Sequence, residues 1–233
     1  MAATVFLIPT VLYEGATECL PHYILEAVKK CSVFFVENER TARRYLKLLW
    51  KEMVIDDYEW YSMKEITQEI AAYFRQKIKE EKIIGIISEA GCPGIADPGQ
   101  QLVQIAQELQ ARVKPLVGPN SILLALMASG MNGQHFQFAG YLPIETGNRI
   151  KAIKALEAES HQKRCTQIFI ETPYRNHQLM ETILKICRPG TLLCVATNLT
   201  GPAERIETKT VAQWKESMSN LHKQLAIFCL QAE

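Results

Sequence analysis

The chain lacks the features that mark several large classes of protein. None of its apolar runs approaches the ~20 residues that a membrane-spanning helix needs, and no basic segment precedes the apolar residues near its start. We therefore expect neither a membrane span nor a signal peptide. Lys and Arg number 26 against 25 Asp and Glu, which gives no global signature of nucleic-acid binding but does not exclude a local basic patch.

Cysteine spacing excludes two further classes. The 7 cysteines contain no C-x-x-C pair, their number is odd, and most of them lie in apolar runs. Disulfide frameworks and zinc sites need paired or regularly spaced cysteines. We therefore predict reduced thiols in the core of a cytoplasmic protein, with neither disulfides nor a bound metal.

Several well-known catalytic and binding motifs are also absent. The chain has no G-x-x-x-x-G-K-[ST] phosphate loop and no G-x-G-x-x-G dinucleotide fingerprint. It has no H-E-x-x-H metal motif and no G-x-S-x-G nucleophile elbow. Walker-type phosphate binding is thereby excluded, and Rossmann-type dinucleotide binding is not supported.

What the chain does contain is an alternation of short apolar segments and amphipathic ones, which favours α/β layers. The predicted strands are Thr4–Pro9, Val33–Glu37, Ile83–Ile87, Val113–Val117, Phe136–Gly140, Thr166–Ile170, Leu192–Ala196 and Leu225–Leu230, with Glu204–Thr210 as an added antiparallel strand. The predicted helices are Tyr23–Lys29, Arg40–Trp50, Glu65–Glu80, Thr146–Ser160, Asn176–Cys187 and Val211–Leu221, with one more after Gly99 and one ending near Ser129. Residues 53–61 are predicted to be irregular or extended. We expect two α/β domains, 1–116 and 117–233, with a ligand crevice between them.

The most informative segment is Ser88–Gly99, SEAGCPGIADPG, which follows the predicted strand Ile83–Ile87. Ligands of open α/β sheets bind beyond the carboxyl ends of strands. Glycine lets the backbone approach a ligand closely, and proline stiffens the loop. The segment is longer than a simple connection needs. It therefore predicts a ligand-binding loop.

Three other polar segments also follow predicted strands: Glu37–Arg40, Glu171–Arg175 and Thr197–Gly201. Each one alone has a purely structural interpretation, because Thr-Pro commonly begins a helix and Asn and Thr are ordinary turn residues. Their coincidence with the glycine-rich loop favours a functional site.

The order of these segments resembles one known family. SEAGCPGIADPG is similar to the SDAGTPGISDPG loop of the tetrapyrrole methylase superfamily, in particular its branch of small-subunit ribosomal RNA ribose 2′-O-methyltransferases. Similar segments occur in the same order along nearly the whole chain. They are Pro9-Thr10, Glu37–Thr41 (ENERT, against E-D-T-R), Leu116–Gly130 (LVGPNSILLALMASG), Phe138–Pro143 (FAGYLP), Ile170–Arg175 (IETPYR) and Ala196–Thr200 (ATNLT).

The resemblance implies a two-domain α/β fold with a mixed sheet flanked by helices in each domain, assembled as a homodimer. It also implies S-adenosylmethionine as the cofactor, bound in the cleft between the domains. The cofactor-binding residues implied are Pro9, Glu89, Ala90, Gly91, Gly94, Ile95, Asn120, Ser121, Glu171 and Leu199. A sulfonium cofactor brings its own reactivity, so the protein mainly binds and orients it, and no metal is needed.

If the acceptor is a ribose hydroxyl, a base must take its proton. Glu37 and Glu39 are the candidates, with Glu171 and Asn198 in supporting roles. The alternative is that Glu37 and Glu39 are solvated or paired with Arg40 or Arg43.

Substrate-binding candidates are Arg40 and Arg43, which share a helix face with Arg44 and Lys47. That face could equally be a solvated one. Tyr174 and Arg175 form a second candidate pair, able to stack on and pair with a nucleotide. The alternative for Tyr174 is packing at the domain junction.

The chain departs from the family pattern at several of these positions. Asn38 replaces an Asp, Glu89 is one methylene longer than the family Asp, and Cys92 replaces a Thr. Asn198 and Gly201 replace the Glu and Lys that flank the family's L-T. The loop also lacks the G-G-D-P of the corrin and uroporphyrinogen branch.

The leading hypothesis is methylation of a ribose 2′-hydroxyl of ribosomal RNA. The first alternative is methylation of a small molecule such as a tetrapyrrole. The second is a non-catalytic module that binds S-adenosylmethionine, which the altered residues 38, 89, 198 and 201 would suit.

Overall fold

The structure, a computed structural model, describes residues 3–218 and 220–232. The chain forms two compact units that divide between Asn120 and Ser121. The sequence placed this boundary slightly earlier, between residues 116 and 117.

The first unit holds a five-stranded sheet with the order β3-β2-β4-β1-β5, and every pairing in it is parallel. Its strands are β1 (Thr4–Ile8), β2 (Val33–Val36), β3 (Glu59–Ser62), β4 (Ile83–Ile87) and β5 (Arg112–Pro115). Its helices are α1 (Tyr23–Val28), α2 (Glu39–Leu49), α3 (Gln68–Lys79) and α4 (Gly99–Glu108), with short 3₁₀ turns at Thr17–Cys19 and Ile55–Asp57.

Successive side chains of a strand point to opposite faces of the sheet, and both faces of this sheet are buried. Phe34 and Val36 of β2 pack on the face that α1 and α2 cover. Phe35 packs on the other face, against Phe74 of α3 at a ring-centroid distance of 4.9 Å. The continuous apolar runs of these strands are typical of a parallel sheet covered on both sides.

The second unit holds a sheet with the order β6-β7-β10-β8-β9. Strands β6 and β7 are parallel, and the other three pairings are antiparallel. The strands are β6 (Phe136–Tyr141), β7 (Thr166–Ile170), β8 (Leu192–Thr197), β9 (Arg205–Thr210) and β10 (Ala226–Gln231). The helices are α5 (Ser121–Ser129), α6 (Thr146–Lys163), α7 (Asn176–Ile186) and α8 (Val211–Glu216).

The main apolar cluster of this unit lies on one face of the sheet, and side chains of the opposite face, such as Ile168 and Cys229, are buried as well. Phe169 of β7 and Phe228 of β10 stack at 5.6 Å between ring centroids. The fully buried Trp214 of α8 donates a hydrogen bond from its indole nitrogen to the Leu193 carbonyl at 2.8 Å. A buried indole N–H needs such a partner, so this bond fixes α8 on the sheet.

The predicted elements agree with the structure apart from a few details. Strands Ile83–Ile87 and Thr166–Ile170 have the predicted bounds, and the added strand is antiparallel as expected. The expectation of a mixed sheet holds for the second unit alone. In the first unit, helices or long connections link successive strands, which allows every pairing to be parallel.

One predicted element becomes more specific and another needs correction. The segment predicted as irregular or extended ends in an extended stretch, β3, in which Trp60 and Tyr61 stack on Phe34 and Phe35 of β2. Helix α8 ends at Glu216 rather than Leu221, because the backbone of Ser217 leaves the helical region. Ser219, inside the predicted helix, lies outside the described residues.

Candidate functional site

In the first unit, three neighbouring parallel strands end level with one another. Ile87 of β4 pairs with Ile8 of β1 on one side and with Val36 of β2 on the other. The next residues of the three strands, Pro9, Ser88 and Glu37, therefore begin three adjacent loops at one edge of the sheet. This carboxyl edge is where open α/β sheets bind ligands.

The glycine-rich loop is held in shape by Asp97. Its carboxylate accepts hydrogen bonds from the backbone N–H of Gly94 at 2.8 Å and of Gly99 at 2.7 Å. Burial raises the pKa of Asp97 although these two bonds favour the charged form. Gly91 and Gly94 both have positive φ angles, +73° and +84°, which residues other than glycine rarely adopt.

The loop presents one side to solvent. Glu89 and Ala90 are exposed, and Ile95 is 50% exposed, an unusual position for a large apolar side chain in a stiffened loop. Gly91 is buried. Three of the five loop residues predicted to bind the cofactor are thus exposed to solvent.

The backbone at Gly118 lies very close to Pro9. A Cβ atom on Gly118 would lie 2.2 Å from Cβ of Pro9, which no real side chain tolerates. Cys92 adjoins the same segment, with its Sγ 3.6 Å from the Gly118 carbonyl oxygen and 3.5 Å from that of Pro119. Burial raises the pKa of Cys92, which favours the protonated thiol, and its single hydrogen has these two carbonyls as alternative acceptors. The segment after β5 is therefore packed tightly against the β1 and β4 loops.

Both candidate bases lie after β2 and have a partner on one oxygen. Glu37 accepts a hydrogen bond at Oε2 from the backbone N–H of Glu89, at 2.9 Å. Glu39 accepts at Oε2 from Arg43 Nη2, at 2.7 Å. Within the described part of the chain, Oε1 of each carboxylate has no hydrogen-bond partner.

Asn38 begins helix α2 by a side-chain cap. Its Oδ1 accepts from the backbone N–H of Arg40 at 3.0 Å and of Thr41 at 3.4 Å. Asn and Asp are both strong caps, so the replacement of the family Asp leaves this local function intact.

The basic residues of α2 differ in how far they are engaged. Arg43 lies over the Trp60 ring at 5.0 Å besides its ion pair, Arg44 pairs with Glu14, and Lys47 donates to two backbone carbonyls. Arg40 is exposed, and its guanidinium has no partner among residues 3–218 and 220–232. The predicted basic face therefore has one unengaged arginine.

In the second unit, β7 and β8 run in the same direction with β10 antiparallel between them, so their carboxyl ends share one edge. Glu171 directly follows β7, and its side chain is completely buried. Its Oε1 accepts from Thr172 N at 2.6 Å and from Arg175 at 2.9 Å (Nε) and 2.5 Å (Nη2). Its Oε2 is buried and has no partner in the described residues. Such an oxygen is costly unless a ligand donates to it.

The loop after β8 is conformationally constrained. Leu199 is buried between Asn198 and Thr200, which have φ angles of +49° and +65°. Positive φ is a true outlier for a β-branched residue such as Thr200. The Thr200 N–H donates to Glu204 Oε2 at 2.7 Å, which supports this backbone. Strained backbone of this kind is concentrated at functional sites.

The remaining predicted residues have simpler settings. Tyr174 is 71% exposed and touches the His222 ring edge-on at 6.3 Å. Ser121 is the first residue of α5 and Asn120 precedes it, and both are partly buried. The structure thus brings Pro9, Glu37 and residues 89–91 together in one unit, and Glu171 and Leu199 to one sheet edge in the other.

Sequence reasoning missed two residues on α2. Thr41 Oγ1 donates to Glu89 Oε1 at 2.5 Å, and the buried Tyr45 hydroxyl donates to the Pro9 carbonyl at 2.6 Å. Burial raises the pKa of Tyr45, so its hydroxyl remains a donor. The i, i+4 spacing of two hydroxyl residues after Glu37 was the available signal.

Two kinds of feature are absent from residues 3–218 and 220–232. No helix there is long and apolar enough to cross a membrane. No group of three or more His, Cys, Asp or Glu side chains there could hold a metal ion.

Comparison with known proteins gives consistent matches. Two curated relatives are named "Ribosomal RNA small subunit methyltransferase I". The one from Escherichia coli O157:H7 is 33% identical over 159 residues, covering 67% of this chain and 54% of the relative. The one from Helicobacter pylori (strain J99 / ATCC 700824) is 30% identical over 171 residues, covering 68% and 58%. The matches thus span little more than half the length of these relatives.

One solved structure shares the fold over nearly the whole length of both chains. The crystal structure of the methyltransferase CobJ aligns with a TM-score of 0.65 and 14% identity, covering 100% of this chain and 95% of that chain. This likeness confirms the predicted two-domain α/β fold class.

The family model of the Tetrapyrrole (Corrin/Porphyrin) Methylases matches residues 15–214. That range includes the glycine-rich loop, Glu37, Glu171 and Leu199, whereas Pro9 precedes it. The resemblance carried by the motifs is confirmed, and the chain belongs to the tetrapyrrole (corrin/porphyrin) methylase family.

Proposed function

We propose that this protein is an S-adenosylmethionine-dependent methyltransferase that acts on a ribose 2′-hydroxyl of small-subunit ribosomal RNA. The observation that carries the proposal is the similarity, over two thirds of the chain, to relatives named for small-subunit ribosomal RNA methylation. The absence of G-G-D-P from the loop favours RNA over a tetrapyrrole as the acceptor.

The residues present fit the cofactor in two respects. Glu171 Oε2 is a buried acceptor that lacks a donor among the described residues, and the cofactor carries amine and hydroxyl donors. Gly94 leaves open space beside the glycine-rich loop, because a Cβ atom there would meet none of the described residues within 4 Å. The residues proposed to bind it are Pro9, Glu89, Ala90, Gly91, Gly94, Ile95, Asn120, Ser121, Glu171 and Leu199.

When bound, S-adenosylmethionine supplies an electrophilic methyl group on a positively charged sulfur. The carboxylates of Glu89 and Glu171 provide negative charge that offsets cationic groups of the cofactor. The braced loops keep their shape before binding, which lowers the entropy cost of orienting the reactants.

The acceptor hydroxyl must lose its proton, and we assign the base to Glu37 or Glu39. In each residue Oε2 is occupied by a backbone or guanidinium donor, while Oε1 is available to take a proton. Holding one carboxylate oxygen fixes the direction of the other, as a positioned base requires.

Arg40, Arg43, Tyr174 and Arg175 are proposed to bind the RNA. Arg40 is the strongest of these for a phosphate, because it is exposed and its guanidinium is unengaged in the described part of the chain. Tyr174 offers an exposed ring on which an unpaired base can stack.

The protein is further proposed to act as a homodimer in the cytoplasm. The resemblance to the family supports the dimer, and the exposed edge strand β6, with Phe136 and Tyr141 open to solvent, offers a surface that would gain from pairing. Light scattering at dilute concentration tests this, and a monomeric mass would contradict it.

The test of activity uses S-adenosylmethionine with an isotopically labelled methyl group and small ribosomal subunits that lack the modification. After nuclease digestion, mass spectrometry should find the label in a 2′-O-methylnucleoside. Label on a base would contradict the ribose assignment. No transfer to RNA, with transfer to a tetrapyrrole, would favour the small-molecule alternative. Cofactor binding with no transfer to any acceptor would favour the non-catalytic module.

A further inference from the structure

Helix α2 contacts two loops of the first unit through side chains on one of its faces. Thr41 and Tyr45 are four residues apart, so both point to the same side of the helix. That side faces the loops after β1 and β4, as their hydrogen bonds show.

Thr41 holds the carboxylate of Glu89. The distance from Oγ1 to Glu89 Oε1 is 2.5 Å, within the range of a hydroxyl donating to a charged oxygen. Thr41 Oγ1 also lies 3.1 Å from the Asn38 carbonyl, but a hydroxyl has one proton and the charged acceptor is closer. Glu89 is exposed and flexible by nature, so this bond selects one of its conformations.

Tyr45 holds the loop after β1. Its hydroxyl donates to the Pro9 carbonyl at 2.6 Å, and the side chain is buried. Proline has no N–H, so the carbonyl is the only backbone group by which Pro9 can be fixed.

The two loops are also bonded to each other. The Thr10 N–H donates to the Gly91 carbonyl at 2.8 Å, and the Glu89 N–H donates to Glu37 Oε2 at 2.9 Å. A displacement of α2 would therefore move both loops together.

We infer that Thr41 and Tyr45 are positioning residues that set the affinity of the cofactor site by bracing Glu89 and Pro9 from α2. This inference rests on the proposed function, since it takes Glu89 and Pro9 as cofactor-binding residues. Glu89 is one methylene longer than an aspartate, so its carboxylate lies farther from the backbone. The Thr41 hydroxyl fixes the position of this carboxylate.

The test compares Thr41→Val, Thr41→Ser and Tyr45→Phe with the unaltered protein. Thr41→Val should raise the dissociation constant for S-adenosylhomocysteine about fivefold, and Tyr45→Phe about threefold, because each loses one hydrogen bond that preorganises the site. Thr41→Ser keeps the hydroxyl and should bind as the unaltered protein does. Thr182→Val and Tyr73→Phe are matched controls, because in the described part of the chain their hydroxyls bond within their own helices.

Two other readouts separate positioning from a general structural role. Hydrogen exchange of the peptide covering residues 88–96 should quicken in Thr41→Val without any ligand, while melting temperature stays unchanged. In turnover, KM for the cofactor should rise and kcat should stay nearly constant.

Each remaining outcome decides against part of the account. If the unaltered protein binds cofactor and Thr41→Val binds equally well, the positioning role is refuted and the proposed function stands. If Thr41→Val lowers the melting temperature and Thr41→Ser does not restore affinity, Thr41 is merely structural. If the unaltered protein binds no cofactor, the proposed function fails, and the inference fails with it.

Discussion

The two sheet edges differ in how their polar groups are satisfied. At the edge of the first unit, Glu37, Glu89 and Pro9 are bonded to neighbouring loops or to α2. At the edge of the second unit, Glu171 keeps a buried carboxylate oxygen with no partner among the described residues, and Thr200 has a strained backbone.

The difference indicates two ways of preparing a binding site. Loops that brace one another are rigid before the ligand arrives and contribute shape. A buried acceptor without a donor is unfavourable in the free protein, and a ligand that donates a hydrogen bond to it removes that cost. We therefore expect Gly118→Ala at the first edge to act through geometry and Glu171→Gln at the second edge to act through charge.

The largest effect should come from breaking the geometry of the first edge. Gly118→Ala places a Cβ atom 2.2 Å from Cβ of Pro9, so the β1 loop must move. We expect a loss of affinity for S-adenosylhomocysteine of roughly 30-fold and a destabilisation of about 2 kcal/mol from overpacking. Calorimetry and thermal unfolding measure the two.

Gly133→Ala is the matched control, because a Cβ atom there meets none of the described residues within 4 Å. If Gly118→Ala behaves like Gly133→Ala, the first edge is not rigid and the comparison fails.

The next effect tests the charge of the second edge. Glu171→Gln keeps the size of the side chain but removes the charge that Arg175 and the cofactor share. The dissociation constant should rise about tenfold, equivalent to ~1.4 kcal/mol. Isothermal titration measures it.

Glu181→Gln, on the exposed side of α7, serves as the control. Equal affinities of Glu171→Gln and the unaltered protein would show that the buried oxygen plays no part in binding.

A smaller effect distinguishes two arginines of α2. Arg40→Ala should weaken RNA binding about threefold and reduce the salt dependence by about one unit, because its guanidinium has no partner among the described residues and can contact a phosphate. Arg43→Ala should change binding less, since its charge is already shared with Glu39 and Trp60. Filter binding over a salt series measures both, and a larger effect of Arg43→Ala would reverse this assignment.

The smallest effect is the pH dependence of stability that buried thiols cause, and it should be the same in both units. Burial raises the pKa of Cys31 in the first unit and of Cys187 in the second to about 12, from the ordinary thiol value of 9.0. A raised folded pKa means that the folded state keeps protons which the unfolded state releases. Stability is therefore fully present only well below pH 9, and it declines from about pH 8 towards pH 12, by roughly 0.4 kcal/mol per thiol at pH 9.

Unfolding in denaturant between pH 8 and 10 measures this decline for the unaltered protein and for Cys31→Ala and Cys187→Ala. Each variant should lose part of the pH dependence. An identical slope in all three would show that the thiols are not protected by the fold.

The sequence predicted most of the fold because its strands are continuous apolar runs with clear ends. Ile83–Ile87 and Thr166–Ile170 needed no tertiary information. Strand β3 was harder, because its half-buried Trp60 and Tyr61 are stabilised by stacking on β2, a contact distant along the chain. The end of α8 was missed because Leu221 is buried as part of a loop, and burial alone does not distinguish a loop from a helix.

The sequence predicted which segments form the candidate site, but it did not predict the hydrogen bonds that connect them. Polar residues after strands gave Glu37, Glu89 and Glu171 by position alone. Which oxygen of each is engaged depends on contacts between loops, such as Glu89 N–H with Glu37, that no local pattern encodes. The bracing from Thr41 was hidden for the same reason, since its partner is 48 residues away.

The most direct test of the central claim is titration of the unaltered protein with S-adenosylhomocysteine by calorimetry. The account predicts saturable one-site binding with a dissociation constant between about 1 μM and 1 mM. It also predicts that Glu171→Gln and Gly118→Ala weaken this binding while Glu181→Gln and Gly133→Ala do not. The absence of measurable heat for the unaltered protein over that concentration range would contradict the account.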